Sequence, residues 1–545
     1  MHSLSSENNQ SWLSWFLRGI LVLLFLILFA KLIEVQVIKG EYYRNLSKNN
    51  RIRIVSIPAP RGKILARGGE ILAGNLEVKK RIVFDEGNGF NLTEDLVGAK
   101  EDEIVTDYKR YYPMGDKFSH ALGYISSVND SQVGKINPNC PLKGPVSSDV
   151  LVGKSGLEEE YECLLSGTSR EEIIEVDALG NKVRVLGRKE PVPGIDLHTS
   201  IDYGLQSLVA TEMDGKKGAV IVTSIDGKIL AFYSYPSFDP NIFLNKGNSS
   251  EISSLLNDEN LPFFNRVIGG TFHPGSVFKP LVAVAALEEG VIDKDYMYND
   301  TGIVTVNEYS YTNWYFTENG RVEGLIDLPR AIARSTDTFF YTIGQMVGPN
   351  AIAKWANYFG VDEKTGIDIP GEVKGLIPTP SWKEKVKKES WFLGNTFHMS
   401  IGQGDVSVTP IEINTYIAAI SDSGNLCKPS FNNDQAADCR KVKVNQKNLD
   451  LVKEGMNKAC ATGGTAYTFF DFADKHGGIT VDCKTGTAEV SLDGEPHAWF
   501  TFFAPEDKPQ IVSTVLIEKG GQGSSEAGPV ARKIADFYFQ SFTQN

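Results

Sequence analysis

Ser276 and Lys279 stand three residues apart in Phe272-His-Pro-Gly-Ser-Val-Phe-Lys-Pro280, the only Ser-x-x-Lys in this 545-residue chain. If Ser276 opens a helix, three residues make almost one turn and both side chains share a face. A neutral lysine there can take the serine proton, and burial or a neighbouring cation would keep it neutral. Pro274-Gly275 suits entry into the helix, whose N-terminus favours a developing anion. The spacing alone equally describes a capping serine beside a solvated lysine. Lys-Thr-Gly occurs twice, at Lys364-Thr-Gly366 and at Lys484-Thr-Gly486. The first copy precedes a turn-rich stretch, Ile367-Asp-Ile-Pro-Gly-Glu372, and reads as structural. The second continues as Thr487-Ala-Glu-Val490 and leads to a strand from His497 to Phe503. An edge strand can set a lysine, two hydroxyls and backbone N–H groups along a cleft that takes an extended peptide. Gly486 would let backbone approach closely. Between the two motifs several Ser-x-Asn/Asp triplets occur; Ser335-Thr-Asp337, inside a helical run, is the best placed.

These residues need a frame. A helix is expected at Tyr203–Met213, then strands Gly218–Ser224 and Ile229–Tyr235 around an Ile225-Asp-Gly-Lys228 turn. Helices are expected at Val277–Glu289, Leu328–Val347 and Asn350–Phe359. Strands return at Ala498–Ala504 and Gln510–Glu518, followed by a helix at Gly528–Phe542. Strands at both ends with helices between imply an α+β domain whose antiparallel sheet joins its two ends. Upstream, Arg51–Ile57 reads as a strand broken by Pro58-Ala-Pro-Arg-Gly62, Glu172–Leu186 as a hairpin about Gly180-Asn181, and Pro191–Gly194 as a boundary. Trp391, Trp499 and Phe500 read as packing residues, His273 and His497 as structural, and Glu158–Glu160 as a solvated helix face.

A net charge of −13 and a pI near 5.2 argue against a nucleic-acid binder with a broad basic face. Trp12–Ile33 is long and apolar enough for a membrane anchor, with Arg18 and Lys31 able to reach the headgroups. No small-x-small cleavage site follows it, so it is read as uncleaved. Lys31, Lys39, Arg44 and Lys48 follow the anchor and only Arg18 lies in its first part, so charge does not place the large domain outside. Six cysteines behind an anchor fit an oxidising compartment. Proximity suggests Cys140–Cys163, Cys427–Cys439 and Cys460–Cys483, with six reduced thiols as the alternative.

Ser-x-x-Lys, a Ser-x-Asn-type triplet and Lys-Thr-Gly form the set used by penicillin-binding proteins and serine β-lactamases. The chain resembles a class B penicillin-binding protein, a monofunctional peptidoglycan D,D-transpeptidase. The likeness extends through Arg61-Gly-Lys-Ile64, Leu72-Ala-Gly-Asn75, Tyr111-Tyr-Pro-Met-Gly115, His120-Ala-Leu-Gly-Tyr124, Gly153-Lys-Ser-Gly-Leu-Glu158, Thr199-Ser-Ile-Asp202 and Ser400-Ile-Gly-Gln-Gly404. Ser335-Thr-Asp337 is similar to the elongation-type, penicillin-binding protein 2-like version. The family's Asp-Arg-x-Gly is here Ala66-Arg-Gly-Gly69, and the stretch from Asn75 to Tyr112 is short for the family.

The resemblance implies a short cytoplasmic tail at 1–11, an anchor at 12–33, a mainly β pedestal at 34–195 and a transpeptidase domain at 196–545. It implies that Ser276 forms the acyl-enzyme with peptidoglycan stem peptides or β-lactams, with Lys279 as base and Ser335 and Lys484 relaying a proton. Asp337 would hold Lys279 or Lys484. Thr485 and Thr487, around Gly486, would bind the donor carboxylate. It implies no metal or organic cofactor, an extracytoplasmic catalytic domain, and a SEDS-family glycan polymerase as membrane partner. A β-lactam-hydrolysing or β-lactam-sensing relative and a non-catalytic wall scaffold are the competing readings.

Overall fold

The computed structural model describes residues 12–57, 59–85, 89–101, 104–129, 131–138, 140–143, 150–177, 182–244, 247–490 and 494–540. Helix α1 (Trp12–Ile33) runs into a π-helical turn, Glu34–Ile38. Among the described residues this is the one helix long and apolar enough to cross a membrane.

The chain divides into two units. The first takes the described residues of 1–60, 77–108 and 167–193. Its antiparallel sheet has the order Ile52–Ile57, Arg170–Val176, Lys182–Lys189. The expected hairpin is therefore present, while its turn at Gly180-Asn181 lies outside the described residues.

The second unit takes 61–76, 109–166 and the described residues from 194 onward. Segments assigned above to the pedestal thus pack within it. One expectation fails here. Glu158 is fully buried rather than solvated: it accepts from Arg61 Nε at 2.6 Å and from Arg110 Nε at 2.7 Å. Two guanidinium groups offset the cost of burying that carboxylate, while Glu160 at the end of the same run stays exposed as expected.

The sheet of this unit is built from both ends of the domain. After helix α2 (Tyr203–Glu212) come β1 (Gly218–Ser224) and β2 (Ile229–Tyr235). Then follow α3 (Lys279–Glu288), α4 (Leu328–Arg334), α5 (Asp337–Val347), α6 (Pro410–Ser421) and α7 (Gln446–Cys460). Strands β3 (Asp482–Ala488), β4 (His497–Ala504) and β5 (Ile511–Ile517) and helix α8 (Ala527–Gln540) complete the domain. The antiparallel order is β2-β1-β5-β4-β3, with Gly218 opposite Ile517 where the two ends meet. The two-residue period of strands sends Trp499, Phe503, Val512 and Leu516 to one face, against the cluster containing α3 and α6. Phe500, Phe502, Ile511 and Val515 face the other way, against α2 and α8. Each such buried side chain contributes about 1.5–3 kcal/mol, so the layered core fixes the register that the site requires. Helix α6 is buried along its whole length and begins with a capping box, Thr409 and Glu412, with Pro410 at its first position.

The continuous helix expected from Leu328 to Val347 is instead two helices. Ser335 ends α4 in the left-handed region, with φ 56° and ψ 38°, and Thr336 stands at the N-terminal boundary of α5 without a side-chain cap bond. A non-glycine residue there is unfavourable by roughly 1–2 kcal/mol. The break is held by Ser335 N donating to Ile332 O and Thr336 N donating to Ala331 O.

Candidate active site

Gly275–Phe278 forms one 3-10 turn that leads into α3. Ser276 lies in that turn, half-buried, rather than on the α-helix itself, and Lys279 is the first residue of α3. The turn is pinned from three directions. Gly275 N donates to Gly402 O at 2.9 Å, His273 Nδ1 pairs with Val406 O at 2.6 Å, and the buried Tyr416 hydroxyl donates to Val277 O. Gly275 has φ 55°, and a Cβ there would sit 2.8 Å from Thr487 O, so the turn of Ser276 touches strand β3 backbone to backbone.

Lys279 is wholly buried. Its Nζ donates to Ser335 O at 2.7 Å, to Asp337 Oδ1 at 2.7 Å and to Ser335 Oγ at 3.2 Å. Lys484 is also wholly buried and donates to Ser335 Oγ at 3.0 Å and to Thr485 O at 3.0 Å. One hydroxyl oxygen, displayed by the break between α4 and α5, therefore joins both lysines. Burial lowers Lys279 below the ordinary lysine range, against the opposing pull of Asp337. Burial holds Lys484 well below that range, and the charge of Lys279 adds to the effect. Asp337 is held by Lys279 and by Trp314 N, which donates to Oδ2 at 3.1 Å. Of the two lysines expected as its partner, the structure gives it Lys279.

Thr485 is buried and donates to Thr465 Oγ1 at 2.9 Å. Thr487 is exposed, and its hydroxyl accepts from Gly523 N at 3.3 Å. A Cβ on Gly486 would lie 3.0 Å from both Trp499 Cβ and Val277 Cγ1, which is why glycine stands there. The eight sequence-selected site residues are thus linked: Lys279, Ser335, Asp337 and Lys484 by hydrogen bonds, and the turn of Ser276 by its close approach to β3, the last strand of the sheet. Lys364 does not join them. It is exposed, and its neighbours Thr365 and Gly366 are bound by Glu372. His273, His497 and Trp499 are held by backbone and neighbouring rings, and Trp391 donates to Thr396 Oγ1 at 2.8 Å. The cysteines form Cys140–Cys163, Cys427–Cys439 and Cys460–Cys483.

Sequence reasoning missed Asn313 and Trp314, which fix Asp337, and Thr465 and Tyr416, which hold Thr485 and the turn of Ser276. None belongs to a short motif; each reaches the site across 20 or more residues of chain.

The geometry agrees with what the chain is similar to. Residues 217–536 match the penicillin-binding protein transpeptidase domain, and residues 90–199 the penicillin-binding protein dimerisation domain. The chain belongs to the class B penicillin-binding proteins. It is 30% identical to the peptidoglycan D,D-transpeptidase MrdA of Acinetobacter baumannii, over 97% of this chain and 88% of that one. Its fold is similar to Helicobacter pylori penicillin-binding protein PBP2 in complex with MreC, with a TM-score of 0.78, 26% identity and coverage of 90% and 99%. A chain of a peptidoglycan synthase complex that coordinates polymerization and crosslinking matches with a TM-score of 0.75, 28% identity and coverage of 96% and 98%. As in the family, this enzyme is a serine-type D,D-transpeptidase.

Proposed function

We propose that the protein cross-links peptidoglycan stem peptides through an acyl-enzyme on Ser276, and that β-lactams acylate the same atom. The observation that carries this reading is the meeting of two buried lysines on Ser335 Oγ beside the turn of Ser276. Ser276 Oγ attacks the carbonyl carbon of the penultimate D-alanine. A C–O bond forms, the peptide C–N bond breaks, and the terminal D-alanine leaves. Lys279 takes the serine proton, and Ser335, backed by Lys484, delivers a proton to the departing amine. The amine of a second stem peptide then attacks the ester, loses a proton to the same relay and restores Ser276. The Ser276 and Thr487 backbone N–H groups form the oxyanion hole, supported by the close approach of Gly275 to Thr487. Thr487, with Thr485 behind it, receives the donor's terminal carboxylate. Asp337 orients Lys279 and, with its negative charge, limits how far burial lowers that lysine.

Helix α1 anchors the chain with residues 1–11 as a cytoplasmic tail, a pedestal over 34–195 and an extracytoplasmic transpeptidase domain over 196–545. The three disulfides support that orientation, since such bonds persist in oxidising compartments. The partner is a SEDS-family glycan polymerase in the membrane, a reading supported by the likeness to a synthase that couples polymerization to crosslinking.

The test is intact-mass spectrometry of the full-length protein in detergent after incubation with benzylpenicillin. Wild type is expected to gain one stable adduct and Ser276→Ala none. An adduct that survives in Ser276→Ala overturns the assignment, and rapid turnover of a chromogenic β-lactam by wild type would replace it with hydrolysis.

A further inference from the structure

Strand β3 carries Lys484 on the open edge of the sheet, where backbone pairing holds it from β4 alone. An edge strand so placed has no backbone partner on its other side. Here that side is fastened at successive residues to α7 and the loop after it. Asn457 Nδ2, on α7, donates to Val481 O at 3.4 Å and to Asp482 Oδ1 at 3.1 Å. Cys460, the last residue of α7, is bonded to Cys483. Thr465, five residues on, receives the Thr485 hydroxyl. Among these ties only the disulfide is covalent, and it joins the residue directly before Lys484. Both sulfur-bearing residues are buried, Cys483 completely and Cys460 with 7% exposure.

Helix α7 also faces the other partner of the proton relay. Gly455 packs so closely on α4 that a Cβ there would sit 2.7 Å from Ile332 Cβ. Ile332 lies in the last turn of α4, three residues before Ser335. One rigid helix thus touches the helix that ends in Ser335 and is bonded to the strand that holds Lys484.

We propose that Cys460 and Cys483 are positioning residues: their disulfide sets the distance between Lys484 Nζ and Ser335 Oγ across α7. This rests on the transpeptidase reading of the site. Misplacing a reacting group by about 1 Å can cost ~100-fold in rate. Loosening β3 would also admit water to Lys484, whose depressed proton affinity comes first from burial.

The experiment compares two disulfides by stopped-flow acylation of the full-length protein with a reporter β-lactam. Cys460→Ser/Cys483→Ser is expected to lower the acylation rate ~10–100-fold and to move the acid limb of its pH profile to higher pH. Cys427→Ser/Cys439→Ser, which opens a hairpin away from the relay, should lower thermal stability yet leave rate and profile as in wild type. If the first double variant does not fold, native protein is reduced with a phosphine and alkylated, and peptide mapping identifies the opened bond. The idea is overturned if opening Cys460–Cys483 leaves rate and profile unchanged. It is overturned equally if both disulfides produce the same change. A stable adduct on Ser276 in wild type keeps either failure separate from failure of the transpeptidase reading.

Discussion

Lys364-Thr-Gly366 and Lys484-Thr-Gly486 are the same tripeptide in two environments. In the second, the lysine is wholly buried, donates to Ser335 Oγ and is held well below its ordinary proton affinity. In the first, the lysine is exposed. The threonines diverge too. Thr485 donates to another hydroxyl, that of Thr465, whereas Thr365 gives both its N–H and its hydroxyl to Glu372 Oε1, at 2.7 and 2.6 Å. Even the glycines serve different needs. Gly366 has φ 78°, so its backbone conformation requires glycine. Gly486 has no such φ; glycine suits it because a Cβ there would press on Trp499 and Val277 at 3.0 Å. Identical residues become a buried lysine of lowered proton affinity or an exposed one at a turn according to what strips water from them and what they then meet.

The largest contrast is expected at the lysines. Lys484→Ala should lower β-lactam acylation ~100–10,000-fold, the usual contribution of a positioned acid–base group, while Lys364→Ala stays within twofold of wild type. Second-order acylation rates measured side by side decide this, and a comparable loss at Lys364 would remove the distinction. The glycines come next. Gly486→Ala forces a Cβ against Trp499 and Val277 and displaces the strand beside Ser276, so acylation should fall by roughly 100-fold. Gly366→Ala should cost only stability, about 1–2 kcal/mol for a left-handed alanine. The readout is acylation rate at a temperature where both variants are folded.

How far could this have been seen from the chain alone? The Ser276/Lys279 and Lys484/Thr485/Gly486 sets are legible because their geometry is local: a helical turn and a strand impose it on neighbours in sequence. The sheet was legible for a similar reason, since the nearly continuous apolar runs of Gly218–Ser224 and Ala498–Ala504 mark strands buried on both faces. Ser335 was found, but its conformation was not. Ala331–Tyr341 reads as uninterrupted helix because nothing in its local propensity announces a left-handed serine. Trp314 braces the break from outside: its N–H binds Asp337 and its ring N–H donates to Arg334 O at 2.9 Å. Such long-range contacts leave no periodic trace. Glu158 was misread for the same reason: its partners Arg61 and Arg110 lie 97 and 48 residues away.

The charge of Asp337 gives a smaller effect with a definite sign. Asp337 raises both lysines, while burial lowers them. Asp337→Asn removes that opposing charge and keeps an acceptor for Lys279, so both lysines should lose their protons at lower pH. Acylation needs the neutral base and therefore rises with pH through this range. Its acid limb should move to lower pH in Asp337→Asn, and a move to higher pH would show that Asp337 does not act by charge. Lys364→Gln, on the exposed copy, should leave the limb in place.

The smallest effect belongs to the turn and reads in stability alone. Glu372 is nearly buried and binds Thr365 N, Thr365 Oγ1 and Gly366 N. Glu372→Ala strands those donors, and a buried unpaired donor costs about 1–3 kcal/mol. Chemical denaturation should show that loss, with acylation unchanged in folded protein. Thr365→Val, combined with Glu372→Ala, should lose less than the sum of the two single changes, because both remove the same bond. Strict additivity would mean that Glu372 and Thr365 do not act on each other, and the first Lys-Thr-Gly would then need an explanation other than this turn.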